Sequence, residues 1–213
     1  MRKYFALVSF ALIVLFVQSC ADPAANKPQA TVAEASPETT STKPAGAETL
    51  AITPENSKVE FVGAKVTKSH NGSFKQFSGA IDLVNSAAEQ SRVTIDIDTA
   101  SIVADDEKLT AHLKTPDFFD VAKYPKATFT STKIEANASA GATHTVTGNF
   151  DLHGVKKAIT FPASINATPE KVTVSAEFAI NRKDFGIVYA GKADDLIRDG
   201  VVIKLTLNVP RKR

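Results

Sequence analysis

The chain reads as an all-β protein, an antiparallel barrel or sandwich, on three observations. Apolar and polar residues alternate with period two over most of its length, turn-forming residues separate the alternating runs, and a single stretch has helical spacing. Short half-buried strands separated by Gly, Pro, Asn and Asp can bury their apolar faces only by packing sheet on sheet or by closing one sheet on itself.

Strands are expected at 58–67 and 74–84, and then at 93–98, where Val93, Ile95 and Ile97 alternate with Thr94, Asp96 and Asp98. The pattern resumes at 127–135 and at 145–152, with Val146, Gly148, Phe150 and Leu152 on one face. It continues at 159–165, 172–180 and 201–209, the last carrying Val201, Ile203, Leu205, Leu207 and Val209 on one face. Asn71-Gly72, Gly141, His153-Gly154, Thr168-Pro169-Glu170 and Asp199-Gly200 mark turns, so about eight or nine strands are expected. Between 105 and 114 the spacing changes: Leu109 and Leu113 lie four apart, acids open the segment and Lys114 closes it, which predicts a short helix. Pro116 limits that helix by pushing Thr115 away from helical angles. The aromatics that follow, Phe118 and Phe119, need burial and suit a plug for one barrel end.

The N-terminus carries a different message. Arg2 and Lys3 precede an apolar run from Tyr4 to Val17, which at about 14 residues is the size of a signal-peptide core and too short to span a bilayer. The run ends in Phe16-Val17-Gln18-Ser19-Cys20, which resembles the lipobox of bacterial lipoproteins. The resemblance implies loss of residues 1–19 and a diacylglycerol thioether on Cys20, the only cysteine. Ala21 rather than Asp follows Cys20, which under export rules like those of enteric bacteria implies an outer-membrane protein facing the periplasm. Residues 20–48 then read as the lipidated cysteine and a disordered tether rich in Ala, Pro, Thr and Ser, with a reach of roughly 30 Å as a random coil. Residues 49–213 are the right size for one domain.

Charge narrows the function. The chain has 25 basic and 23 acidic residues, and loss of Arg2 and Lys3 with the signal brings the two to balance, which leaves no basic surplus to attract nucleic acid. One cysteine excludes a disulfide framework and a cysteine-based zinc site. The histidines, His70, His112, His144 and His153, stand on separate elements without metal-ligand spacing, so no metal or other cofactor is expected. No Gly-x-Ser-x-Gly elbow or Gly-x-x-x-x-Gly-Lys loop occurs, and no nucleophile and base are paired, so an enzyme is not expected. Arg182, Asp184, Asp194, Asp195 and Arg198 read as a solvated charged loop, with headgroup recognition as the other reading.

The run from His112-Leu113 through Asp117-Phe118-Phe119-Asp120-Val121 to Tyr124-Pro125 and Phe129-Thr130-Ser131 resembles the signature of the YceI-like family of polyisoprenoid-binding proteins. Gly148-Asn149-Phe150-Asp151-Leu152-His153-Gly154 and Asn181-Arg182-Lys183-Asp184-Phe185-Gly186 agree in order and spacing, and the likeness spans about 58–209. It implies a lipocalin-like, eight-stranded antiparallel β-barrel with a short helical insertion, holding a polyisoprenoid or other long-chain lipid inside. Two elements depart from the family pattern. Leu109-Thr110 stands where many relatives have Arg-Asp, and Thr53-Pro54-Glu55-Asn56-Ser57 where an Asp-x-x-His-Ser is frequent, which removes groups that could meet a headgroup.

The candidate ligand residues are His112, Phe118, Phe119, Phe129, Phe150, Phe161 and Phe178, together with Ala163 and Ala176, which with Gly148 leave room at inward positions. His112 faces either a ligand or a structural hydrogen bond. If the phenylalanines fill the interior, the domain is instead a ligand-free structural or interaction barrel of the cell envelope.

Overall fold

The alternating runs become strands, and most of them pair with their neighbours in the chain. The computed structural model describes residues 21–37, 43–137 and 141–211. Its strands are β1 (Thr31–Glu34), β2 (Glu48–Ile52), β3 (Ser57–Ala64), β4 (Ser69–Phe74), β5 (Phe77–Val84), β6 (Ala87–Asp98) and β7 (Ile102–Ala104). After the helix α1 (Glu107–Leu113) come β8 (Lys126–Ala136), β9 (His144–Leu152), β10 (Val155–Ala167), β11 (Lys171–Asn181), β12 (Gly191–Lys192), β13 (Asp195–Leu196) and β14 (Gly200–Pro210). One curled antiparallel sheet of 12 strands runs β2-β5-β6-β8-β9-β10-β11-β14-β3-β4-β7, with β1 joined to β10. β12 and β13 form a separate hairpin.

The sheet has more strands than the alternation predicts because three long runs bend. Asp98 caps a 3-10 turn at Thr99–Ser101 that separates β6 from β7, its side chain accepting from the Ala100 N–H at 2.9 Å. Facing it, β4 gives way to β5 at Lys75-Gln76, where the Gln76 N–H donates to Ser101 Oγ at 3.0 Å and the Asp98 N–H donates to the Gln76 carbonyl at 3.0 Å. The hairpin therefore turns a corner as a unit with its backbone groups satisfied. β2 and β3 are separated by a turn in which the Asn56 N–H donates to the Thr53 carbonyl at 3.2 Å.

Inward side chains make one continuous core. Phe161 and Phe178 stack with ring centroids 4.1 Å apart, and Phe129 packs on Phe161 at 5.7 Å. Gly148 does not leave space as the sequence suggests: a Cβ there would lie 2.4 Å from the Phe129 ring, so the glycine seats that ring. The expected helix forms, capped by Asp106, whose side chain accepts from the Leu109 N–H at 2.8 Å. Among the described residues no helix is long and apolar enough to cross a membrane.

The tether expected from 21 to 48 is corrected over its first half. β1 pairs with β10 from Thr31 opposite Thr160 to Glu34 opposite Lys157. Just before it, the Ala30 N–H donates to the Ala179 carbonyl and the Ala179 N–H to the Pro28 carbonyl, both at 2.8 Å. Ala24, 3% exposed, packs with Val62, Ala179 and Val202 in a small cluster separate from the main core. The Asn149 side chain accepts from the Ser36 N–H at 2.9 Å and donates to the Ser36 carbonyl at 3.0 Å. Residues 22–36 are thus a strap. Backbone pairing and one buried methyl hold it, and neither needs the aromatic or aliphatic side chains whose scarcity suggested disorder. The signal and Cys20 lie outside the described residues.

Amide exchange separates strap from tether. The Ala30 and Ala179 amides should be protected in the native protein, and Ala24→Glu, which forces a charge into the cluster, should release protection across 22–36 while the β8–β9 amides keep theirs. Ala30 exchanging at the free-peptide rate in the unsubstituted protein would show that the segment is loose.

Candidate functional site

One end of the curled sheet is built by the last residues of β3, by α1 and the loop after it, and by the β12–β13 hairpin. Between them opens a cavity of about 510 Å³. Its rim carries Lys65, Lys68, His70, His112, Tyr189 and Lys192, and its floor is Phe61, Leu113, Phe118 and Ile197. Beneath that floor, and sharing those four residues, lies an apolar cavity of about 120 Å³ reaching Phe74, Phe119, Ala127 and Phe150. A third, about 60 Å³, continues past Phe61 and Phe74 to Phe129, Phe161 and Phe178. The mouth falls in the usual range for ligand pockets, roughly 300–1,000 Å³, and the two inner spaces fall below it.

Rings divide these spaces. Phe61 borders all three cavities. It lies across Gly72, where a Cβ would come within 2.1 Å of the ring, and its centroid is 6.0 Å from that of Phe74. Phe74 in turn meets Phe119 edge-on at 5.7 Å. The order from mouth to depth is therefore polar rim, Phe61 and Phe118, and then hydrocarbon.

Polar groups at the mouth hold one another. Lys65 pairs with Asp195, which also accepts from Thr67 Oγ1 at 3.0 Å. The Val66 N–H donates to the Leu196 carbonyl at 3.0 Å, so the β12–β13 hairpin is fastened to the β3–β4 turn. His70 Nδ1 lies 2.7 Å from Asp105 Oδ1, and that hydrogen bond is the main cause holding the Asp105 carboxyl below the usual aspartate range. The Lys65 ammonium does the same for Asp195. Lys68 and Lys192 make no ion pair within 4 Å among the described residues.

The structure unites most of the candidate residues along this axis. His112 lines the mouth with its ring edge-on to Phe118 at 5.0 Å and to Tyr189 at 5.2 Å, while its Nε2 lies 2.7 Å from Asp117 Oδ2. His112 thus makes the structural hydrogen bond to the loop while its ring lies at the mouth of the cavity. Phe118 is buried and Phe119 half-buried, closing one end as a plug. Phe129, Phe150, Phe161 and Phe178 line the deeper spaces. Ala163 and Ala176 are buried but border none of the three, because the stacked rings of Phe161 and Phe178 occupy that depth.

The charged loop is corrected as well. Arg182 is only 4% exposed. Its Nη1 donates to the Ile187 carbonyl at 2.7 Å, its Nε to the Arg198 carbonyl at 3.1 Å, and its Nη2 to Asp199 Oδ1 at 3.2 Å. Burial lowers its pKa from the ordinary arginine value, and Asp199 opposes that shift. It is a clasp under the mouth, joining the 3-10 turn Arg182–Phe185 to the start of β14. Phe61, Phe74, Tyr189 and Ile197 were not singled out from the sequence, since nothing in local spacing distinguishes a ring that borders a cavity from one that fills a core.

Removing the plug tests its contribution. Phe118→Ala should cost about 3–5 kcal/mol and Phe119→Ala less, since only Phe118 is fully buried. A denaturation midpoint unchanged in the double variant would show that neither ring closes the sheet.

Residues 50–209 match the model of the YceI-like domain. A UPF0312 protein of Pseudomonas putida strain W619 is 35% identical over 123 residues, 55% of this chain and 63% of that protein. One from Pseudomonas fluorescens strain SBW25 is 31% identical over 133 residues, 60% of this chain and 68% of that protein. The chain thus spans a little under two thirds of the length of the Pseudomonas putida relative. Among solved structures, Burkholderia cenocepacia BcnA superposes with a TM-score of 0.62 at 28% identity, covering 71% of this chain and 95% of that one. A polyisoprenoid-binding domain from Saccharophagus degradans, implicated in plant cell wall breakdown, shares the fold with a TM-score of 0.60 at 19% identity, covering 78% and 99%. With the helix, plug and Asn181–Gly186 turn placed together at one end of a curled antiparallel sheet, the chain belongs to the YceI-like family.

Proposed function

We propose that this protein is a lipid-anchored binding protein of the bacterial envelope that holds a long amphiphilic lipid, a polyisoprenoid or one like it, along the axis of an eight-stranded barrel. If β2 with β3, β4 with β5, and β6 with β7 each count as one bent strand, the circuit has about eight strands and returns on itself, because β14 pairs with β3. The observation that carries the reading is the line of three cavities from a polar rim into hydrocarbon, the polarity gradient of an amphiphile. The fold shared with the Saccharophagus polyisoprenoid-binding domain supports the choice of lipid. A headgroup would rest at the mouth among His112, Tyr189, Lys68 and Lys192, and the chain would pass Phe61. A binding role rather than an enzymatic one fits a depth lined mostly by hydrocarbon, where Arg182 is taken up by backbone carbonyls and Asp199.

The stacked rings of Phe161 and Phe178 favour a second reading, a barrel filled by its own side chains. Organic extraction of the purified protein followed by mass spectrometry decides between them. Near one lipid per chain is expected. Ala127→Leu, which fills the inner cavity, should lower that yield several-fold, while Thr128→Leu, on the opposite face of β8, should keep it. No lipid in the unsubstituted protein, or equal yields from the two variants, would leave the filled barrel.

The anchor has its own test. Cys20→Ser should abolish incorporation of a labelled fatty acid and release the protein from the outer-membrane fraction, since the chain has no other thiol. Label retained in that variant would end the lipoprotein reading.

A further inference from the structure

Large apolar side chains exposed on the described surface are three, Val66 at 41%, Val188 at 63% and Leu196 at 49%. All belong to the same end of the molecule. Val66 and Leu196 share a backbone hydrogen bond at 3.0 Å, and Val188 precedes Tyr189, a residue of the mouth. Scattered exposed aliphatics need no explanation, but here each of the three is the chain neighbour of a residue lining one cavity, Lys65, Tyr189 and Asp195.

The strap begins at this end too. Asp22 Oδ2 lies 3.7 Å from Arg198 Nη1, Arg198 borders the inner cavity, and Ala24 sits against Gly200 at the start of β14. Asp22 is two residues beyond Cys20, so a diacylglycerol on that cysteine would begin within about 7 Å of Asp22 along the chain. A loose tether would let the domain take any orientation; a strap fixed from residue 22 does not. Charge agrees with the placement. Asp105, Asp117 and Asp195 are each occupied by His70, His112 and Lys65, and Asp106 by the Leu109 N–H of its helix cap. Lys68 and Lys192 make no ion pair within 4 Å among the described residues, Lys68 acting only through its charge on Asp105 and Asp106. Each lysine brought to an anionic bilayer surface favours contact by roughly five-fold.

We infer that the mouth of the barrel docks on the surface of an anionic phospholipid bilayer, with Val66, Val188 and Leu196 entering the headgroup layer and Lys68 and Lys192 meeting lipid phosphates. The cavity then opens onto the membrane, and a lipid passing between bilayer and barrel crosses no water. The opposite end, the β10–β11 turn at Glu170, points away, since the 11 residues of β11 separate the two ends by roughly 30 Å.

The chain contains no tryptophan, so single reporters can be placed without background. Val188→Trp, Leu196→Trp and the control Glu170→Trp would each be made in the full chain. Each variant is purified from a bacterial envelope and reconstituted into vesicles of phosphatidylethanolamine and phosphatidylglycerol containing brominated lipid. Quenching at 188 and 196 should exceed that at 170 by about three-fold or more, with a blue-shifted emission. Equal quenching at the three positions, stronger quenching at 170, or none at any of them overturns the inference. The inference uses the proposed anchor but fails separately from it, because a chain that takes fatty-acid label yet shows no preference among the reporters keeps the anchor and loses the docking face. Lipid extraction likewise reports barrel occupancy without regard to orientation.

Discussion

Where β10 and β11 part, the backbone donors and acceptors of both strands would face water or each other across a gap, and the strap fills it. β10 pairs with β11 only from Ser164 to Ala167; nearer the mouth its Lys157–Thr160 stretch pairs with β1, and Ala179 of β11 bonds to Pro28 and Ala30. Unpaired edges in the middle of a wall are both costly and prone to wrong pairing. The wall of the cavity therefore depends on a segment that precedes the domain in sequence. The same segment brings the chain in beside Arg198 at Asp22, so closure of the sheet and the point at which the N-terminal residues reach the domain have one cause.

Inside the wall, glycine and phenylalanine work as pairs. Phe61 lies across Gly72, its direct partner on β4, and Phe129 lies across Gly148 of β9. A Cβ at either glycine would displace a ring, so a small residue here positions a large one and creates no space of its own. That is why the interior comes as separate small cavities divided by Phe61 and Phe74. At Gly154 the reason for glycine is different. His153 and Gly154 both have positive φ, 55° and 73°, as a two-residue hairpin turn requires, and Tyr124 packs where a side chain would stand.

Period two made the long strands legible because burial on one face imposes it directly. Val93, Ile95 and Ile97 could be assigned to one face from spacing alone. The corner at Gln76 and Ser101 was not legible, since it rests on a serine side chain bonding a strand far away in sequence. The strap escaped for a related reason: backbone pairing is indifferent to composition, and composition was the only signal at 21–48. Arg182 was misread because a charged residue near other charges looks solvated until the fold wraps carbonyls around it. His112, Phe118 and Phe119 were legible from the break in alternation, a short helix followed by aromatics that need burial, and the fold explains their adjacency: the helix and the loop after it place all three over one opening.

Two inner cavities are far smaller than a long lipid, but the energies favour its entry. A chain that removes a further 200 Å² of apolar surface from water gains roughly 5 kcal/mol at about 25 cal/mol per Å². Turning Phe61 or Phe74 out of its seat exchanges one set of hydrocarbon contacts for another, at the roughly 1–3 kcal/mol usual for overpacking and off-rotamer strain. The gain exceeds that cost once the lipid is long enough to occupy the space behind the ring. A short amphiphile reaching only the mouth receives no such return, so under the proposed function the rings would act as a length filter, favouring ligands with tails long enough to displace them. Selectivity for chain length would then reside in Phe61 and Phe74, and the mouth would discriminate only among headgroups.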